Sequence, residues 1–313
     1  MTLTDQSFIE PKKQINDQQD INKWVTSEAY IRLTRFIELL NESVVNKKIS
    51  DPCFVSELVQ KVIDTLDTIM SWIDEIPPLP TSQRFGNKAF RDWVARLEQN
   101  APIIHRDILP PQFHDAIIEL VSYFTEGFGN ATRIDYGSGH ELNFVAWMCC
   151  VHLLGLFQEQ DYTALVLRVF TKYLDLVRRL QSVYMLEPAG SRGVWGLDDH
   201  QFLSYYWGSA QLRDNKHLKP KSILSEELVN MYSSDYIYFG CIKYIREVKR
   251  GPFHEHSPLL YDISQVPNWT KVNSGLMKMY VADVLKKFPI VQHFVFGNLL
   301  PFKPMAEHQV EDQ

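Results

Sequence analysis

The run Val55-Ser56-Glu57-Leu58-Val59-Gln60-Lys61-Val62-Ile63-Asp64-Thr65-Leu66-Asp67-Thr68-Ile69-Met70-Ser71-Trp72-Ile73 decides the fold class. Val55, Leu58, Val59, Val62, Leu66, Ile69, Met70 and Ile73 recur at i, i+3, i+4 and i+7, which places them on one stripe of an α-helix. The stripe stops at Pro77-Pro78-Leu79-Pro80, where lost amide donors and the restricted preceding residue end a helix. The same period predicts helices from Asn87 to about Leu97, over 111–126, from Glu141 to about Phe157 and from Tyr162 to Tyr184. Four more fit 200–212, 225–231, 235–249 and 273–287. Alternating apolar and polar runs bounded by turn residues, the mark of strands, are rare. The expected fold is all-α, a multi-helix globular protein. A polar N-terminal arm spans 1–20, a single helical domain 21–302 with a lid-like lobe about 77–125, and a C-terminal tail 303–313.

Composition narrows the functional classes. At 45% hydrophobic the chain can build a core. A net charge of −6 and a pI near 5.9 offer no electrostatic footprint for nucleic acid or an anionic membrane surface. No run of 18 apolar residues is present, so no membrane span is expected. The opening MTLTDQSFIEPKKQIND lacks an apolar segment of the secretory kind. Cys53, Cys149, Cys150 and Cys241 form no CxxC pair, which fits reduced thiols and a cytoplasmic or nuclear location.

The chain has only 14 glycines in 313 residues, about 4.5% against a usual ~7%, and it bunches them. Gly137 and Gly139 lie in Thr132-Arg133-Ile134-Asp135-Tyr136-Gly137-Ser138-Gly139-His140-Glu141, which opens a helix. A glycine turn into a helix start exposes unpaired N–H groups and the positive dipole end, a cradle for phosphate to which Arg133 could add a bidentate contact. The plainer reading is a tight turn capped by Ser138. The window is neither a Walker A loop nor a Rossmann fingerprint, and nothing resembles a GxSxG hydrolase elbow. Gly190, Gly193 and Gly196 lie in the second window, Glu187–His200. Three glycines at this spacing make a loop rather than a helix. Asp198 and Asp199 then either cap a helix beginning near His200 or supply a carboxylate to Mg2+. In Gly251-Pro252-Phe253-His254-Glu255-His256-Ser257 the two histidines lack a third ligand, and structural hydrogen bonding is the expectation. The Cys149-Cys150 pair inside an apolar helix is expected to be buried and inert.

Taken together, several stretches resemble the phosphotyrosyl phosphatase activator (PTPA) family, the peptidyl-prolyl isomerase-type activators of type 2A protein phosphatase. They are Ile76-Pro77-Pro78, Arg84-Phe85-Gly86-Asn87, Thr132–Glu141, Glu187–Asp199, Trp207-Gly208-Ser209, Gly251–Ser257, Val266-Pro267-Asn268-Trp269 and Phe288–Gly297. They run from about residue 8 to about 302 in the family's order and spacing. The resemblance implies an all-α fold with core, linker and lid subregions. It implies activation of the phosphatase catalytic subunit, carried with its scaffold subunit, in an ATP- and Mg2+-dependent way, and peptidyl-prolyl cis/trans isomerase activity on a proline-containing peptide. Matching positions place nucleotide contacts at Arg133, Ser138, Gly139, Gln292, His293 and Phe294. Metal contacts match Gly193, through its backbone, and Asp199, and a phosphatase-engaging surface matches Val266, Gly275 and Met279. Ser138 stands where the family commonly has Thr, and Arg192 where members often carry Gln or His.

Isomerisation of an X-Pro bond needs no nucleophile. A pocket that desolvates the prolyl amide and favours its twisted form suffices against a barrier of ~18–20 kcal/mol. Trp195, Asp198 and Trp207, with the loop carrying Pro267 and Trp269, are the candidates to line it. The competing expectation is a non-enzymatic, ATP-dependent chaperone that clamps the phosphatase and promotes its metal loading.

Overall fold

The computed structural model describes residues 7–80 and 85–304. Residues 1–6 of the expected arm, Arg84 of the Arg84–Asn87 stretch and residues 305–313 of the expected tail lie outside the described residues. The chain is mostly helical, as its periodicity predicts. The Val55–Ile73 stripe becomes the helix Glu57–Glu75, whose Ser56 hydroxyl caps the Val59 amide. Its inward face of Val59, Val62, Leu66, Ile69, Trp72 and Ile73 is buried, at roughly 1.5–3 kcal/mol per large side chain.

The helix expected to end near Leu97 instead runs Ala89–Ile108, straight through Pro102. Its inward face continues past the proline with His105 and Ile108. Burial pushes the His105 imidazole down to about 4. The neutral ring donates from Nδ1 to the Ala101 carbonyl at 2.7 Å and accepts the Trp147 indole N–H at 2.9 Å. That packing outweighs the one backbone bond Pro102 forgoes. Helix Ile117–Glu126 follows. Both helices bury residues in the same hydrophobic core as the rest of the chain, so the expected 77–125 lobe shares that core.

Helix Ser138–Leu153 lies at the centre and is buried on nearly every side, including Cys149 and Cys150. Burial pushes the Cys149 thiol up to about 12, in keeping with an inert thiol. The predicted Tyr162–Tyr184 helix is one continuous rod, with a π-helical stretch at Leu165–Phe170 between Tyr162–Ala164 and Thr171–Tyr184. Helices Leu203–Ala210, Glu226–Tyr232 and Ile237–Val248 follow. The last long helix begins at Trp269 rather than 273, because the Asn268 side chain accepts the Lys271 amide as its cap. It continues through a π-helical stretch at Val281–Leu285.

Two short strand pairs break the all-helical pattern. Lys12–Lys13 pairs antiparallel with Val295–Phe296, so the described part of the arm is docked. The buried Glu119 carboxylate fastens it by accepting the amides of Ile9, Asn298 and Leu299. Asp135–Tyr136 pairs in parallel with Glu187–Pro188, which lays the two glycine windows side by side.

Candidate functional site

Gly137 is extended rather than left-handed, with φ −168°. It must be glycine because a Cβ there would stand 2.4 Å from the Ala189 carbonyl of the neighbouring strand segment. Gly139 faces Ile290, whose methyl would lie 3.2 Å from an added Cβ. In the second window Gly190 and Gly193 do adopt left-handed backbone, at φ +68° and +58°. The Ser138–Leu153 helix has no side-chain cap. Ser138 is its first residue, not its cap, and the amides of Ser138 and Gly139 precede the first backbone bond of the helix, which His140 makes to the Gly137 carbonyl at 2.9 Å.

Around this junction lie two cavities. The first, about 510 Å3, is lined by Ser138, Gly190, Arg192, Asp198, Asp199 and His200, with Asp283, Lys286 and Lys287 from the end of the last long helix. The second, about 540 Å3, is lined by Arg133, Asp135, Gly139, His140, Asn143 and His293. Ala189, Gly190, Pro289 and Ile290 belong to both walls. The consecutive residues Ser138 and Gly139 thus face different cavities, and the helix start opens at the partition between them.

Charge is arranged in pairs. The Arg133 guanidinium donates to Asp135 at 2.6 Å. Burial works against ionisation of Asp135, but His140 and Arg133 outweigh it and hold the carboxyl below its ordinary value. Arg192 pairs with Asp283 at 2.8 Å, tying the glycine loop to the last helix. The Lys249 ammonium sits 2.8 Å from Asp199 Oδ2, while the Ser191 hydroxyl donates to Oδ1 at 3.1 Å and accepts the Gly193 amide. Burial pushes the His200 imidazole down, towards its neutral form, although Asp198 and Asp199 pull the other way. Among the described residues, Lys286 and Lys287 line the first cavity without a paired carboxylate.

The two aspartates have different work. Asp198 Oδ1 accepts the amides of His200 and Gln201, and Oδ2 accepts the buried Tyr205 hydroxyl at 2.7 Å. It fixes the turn before the helix. Neither aspartate caps that helix, which starts at Leu203 rather than near His200. The cap is Glu141, from the start of the central helix, whose carboxylate accepts the Phe202 and Leu203 amides. Asp199 stands half-buried, and its oxygens, the Ser191 hydroxyl and the Gly193 carbonyl are hard donors suited to Mg2+. No group of three His, Cys, Asp or Glu among the described residues could hold a metal by itself, so phosphate oxygens and water would complete the shell.

Other expected site residues are distributed differently. Trp207 is fully buried, donates its indole N–H to the Ile37 carbonyl at 3.1 Å and packs on Phe170. It is a core residue, which corrects the expectation that it lines a peptide pocket. The stretch Trp207-Gly208-Ser209 is a packing motif. Gly208 lets the Ile237–Val248 helix approach so closely that a Cβ would lie 2.4 Å from the Tyr238 nitrogen. Ser209 accepts from Asn273, which pairs amide to amide with Asn41 in the core. Trp269 is likewise buried and donates to the Leu218 carbonyl. Trp195, in contrast, is 76% exposed on the glycine loop. The Phe294 ring packs between Trp24, Tyr123 and Phe296, so it cannot stack on a base. Gln292 lies outside both linings and donates to the Pro289 carbonyl, whereas His293 is exposed on the rim of the second cavity. Gly275 and Met279 are one turn apart on the last long helix, and an added Cβ at Gly275 would meet nothing within 4 Å. Val266 is half-buried just before that helix's cap. His256 bonds the Ser257 hydroxyl, a structural role as expected.

Lys249, Ser191, Asp283, Tyr205 and Glu141 were not singled out as site residues by the sequence. Lys249 stands two residues before the Gly251–Ser257 stretch, but its pairing with Asp199 spans 50 residues and has no local signature.

Comparison with known proteins bears on this geometry. A family model described as phosphotyrosyl phosphate activator (PTPA) protein matches residues 11–302. The chain is 45% identical over 301 residues to a probable serine/threonine-protein phosphatase 2A activator 1 of Dictyostelium discoideum, covering 96% of this chain and 93% of that protein. It is 44% identical over 303 residues to serine/threonine-protein phosphatase 2A activator 1 of Schizosaccharomyces pombe, with 96% and 93% covered. Its fold is similar to a crystal structure titled as that of the PP2A phosphatase activator Ypa1 PTPA1. There the TM-score is 0.87 at 38% identity, over 97% of this chain and 98% of the other.

Proposed function

The chain belongs to the PTPA family, and from that premise we propose that it activates type 2A protein phosphatase in a Mg-ATP-dependent way, engaging the catalytic subunit on its scaffold. The observation that carries the nucleotide reading is the uncapped start of the Ser138–Leu153 helix at the partition between two cavities. Mg-ATP, when bound, supplies polyphosphate charge and a hard divalent cation. The first-turn amides at Ser138 and Gly139 would hold phosphate, with Arg133 on one side and the unpaired Lys286 and Lys287 on the other. Asp199 and the Gly193 carbonyl would hold the metal, while Asp198 orients the turn that presents Asp199. The face carrying Gly275 and Met279 belongs to the same continuous helix as Asp283, a rigid route from the cleft to the proposed partner surface.

Peptidyl-prolyl isomerisation is the second reading, favoured by one observation: Trp195 is a 76% exposed indole beside the cleft, a ready surface for a proline ring. Two assays test the pair of readings. Phosphatase activation with and without Mg-ATP is expected to depend on nucleotide, and an equal rate in both conditions refutes the first. Isomerisation of a phosphatase-derived proline peptide by catalytic amounts of the protein is expected to fall on Trp195→Ala. If the peptide is not isomerised and activation needs stoichiometric protein, the chain is a clamp and not an enzyme.

A further inference from the structure

The cation that now neutralises Asp199 belongs to the protein. Lys249 places its ammonium 2.8 Å from Oδ2, both side chains are about three-quarters buried, and the Ser191 hydroxyl occupies Oδ1. Lys249 closes the Ile237–Val248 helix, its amide bonded back to Ile245, and left-handed Gly251 follows two residues later at φ +97°. The head group is therefore carried at a helix end on a long side chain that can swing, while its base is fixed. The neighbouring imidazole of His256 is held towards neutrality, first by burial and further by Lys249 and Arg246. Arg246, one turn earlier, donates to the Ile223 and Leu224 carbonyls. Among the described residues, Lys249 is the single charge paired with Asp199.

We infer that Lys249 is an internal counter-ion that competes with the divalent cation for Asp199, so that metal enters only together with a polyphosphate able to receive the displaced ammonium. The inference rests on the metal reading of Asp199 given above. A divalent ion and an ammonium on one carboxylate oxygen repel each other within a few ångströms in a half-buried site, where screening is weak. Mg2+ alone leaves the displaced ammonium without a counter-ion, beside a cavity that Lys286 and Lys287 already line. Mg2+ arriving with triphosphate brings anionic oxygens for all three. Lys249 thereby makes metal and nucleotide binding positively coupled, a role for the lysine as a positioning residue. Coupling factors of this kind are typically about 5–150-fold.

The test measures free Mn2+ by electron paramagnetic resonance during titration of the purified protein, with and without ATP. Wild type, Lys249→Met, Lys249→Arg and Asp199→Asn are compared, with melting temperatures confirming that each folds. Wild type is expected to bind Mn2+ weakly alone and about tenfold or more tightly with ATP. Lys249→Met is expected to bind Mn2+ tightly without ATP and to lose most of the ATP enhancement, while Lys249→Arg keeps the wild-type coupling. If Lys249→Met matches wild type in both conditions while Asp199→Asn abolishes binding, the metal site stands and the competition proposal is overturned. If Asp199→Asn binds Mn2+ and ATP like wild type, the metal reading itself fails, and the proposal with it.

Discussion

Glu141 is the most exacting test of how the cleft is held together. Its carboxylate is fully buried at the start of the central helix and reaches 61 residues along the chain to cap the helix Leu203–Ala210. Oε2 accepts the Phe202 and Leu203 amides at 3.0 and 2.9 Å. The turn that carries Asp198 and Asp199 ends at this cap. Replacing Glu141 with Leu leaves two buried amides without an acceptor, at roughly 1–3 kcal/mol each, or about 2–6 kcal/mol in all. An unfolding entropy near 2.1 cal/mol/K per residue over 313 residues is about 0.66 kcal/mol/K, so Tm falls by about 3–9 °C. Replacing it with Gln keeps an acceptor oxygen and isolates the proton. Burial pushes the Glu141 carboxyl from 4.5 up to about 8, against the pull of the Leu203 and Phe202 amides. The folded state therefore binds this proton more tightly than the unfolded chain. The stabilisation is fully present below 4.5 and is lost as pH rises through about 8. Between pH 5 and 7 the wild type should lose stability relative to Glu141→Gln, by roughly 2–3 kcal/mol or about 3–5 °C in Tm. Scanning calorimetry of the three proteins across pH 5–7 measures this. Parallel curves for wild type and Glu141→Gln, with Glu141→Leu within about 1 °C of both, would refute the assignment of cap and proton alike.

Three further outcomes follow from the geometry. Gly208→Ala puts a Cβ 2.4 Å from the Tyr238 backbone nitrogen, and backbone cannot step aside as a side chain does. Destabilisation of about 3 kcal/mol or more is expected by chemical denaturation, at the upper end for overpacking. Gly137→Ala forces the two glycine windows apart at the Ala189 carbonyl. Binding of a fluorescent ATP analogue is expected to drop about tenfold or more, and unchanged binding sets the junction aside as a nucleotide site. Asp199→Asn removes one half of an ion pair whose side chains are 22% and 25% exposed. A stability loss of about 1–3 kcal/mol is expected, between the values for an exposed and a buried pair, with Mg-ATP-dependent phosphatase activation abolished; activation at the wild-type level contradicts the metal role.

Much of the fold was legible from periodicity. The stripe from Val55 to Ile73, the Tyr162–Tyr184 rod and the apolar Cys149-Cys150 segment carry their burial in their own spacing, because a helix face repeats every 3.6 residues whatever it packs on. Capping was legible only where it is local. Ser56 and Asn268 act within three residues, although the apolar period alone starts the last helix at 273, four residues after its true start at Trp269. The helix reaches Ile108, beyond the Leu97 end that the spacing predicts, because a buried face and the His105–Trp147 bond hold both sides of Pro102.

The sequence by itself determined that this chain is a helical protein with two places of unusual backbone, and the order and spacing of its motifs carried the family. Those are properties of neighbours along the chain. Only the tertiary structure decided which groups are free to act. It sent Trp207 into the core and left Trp195 on the surface, though both are tryptophans beside glycine. It assigned Asp198 to a turn and Asp199 to Lys249, though the two are adjacent. It drew the helix cap from Glu141. Hydrogen bonds and ion pairs are satisfied by whatever the fold brings within about 3 Å, and that distance is set by packing between helices rather than by position in the chain.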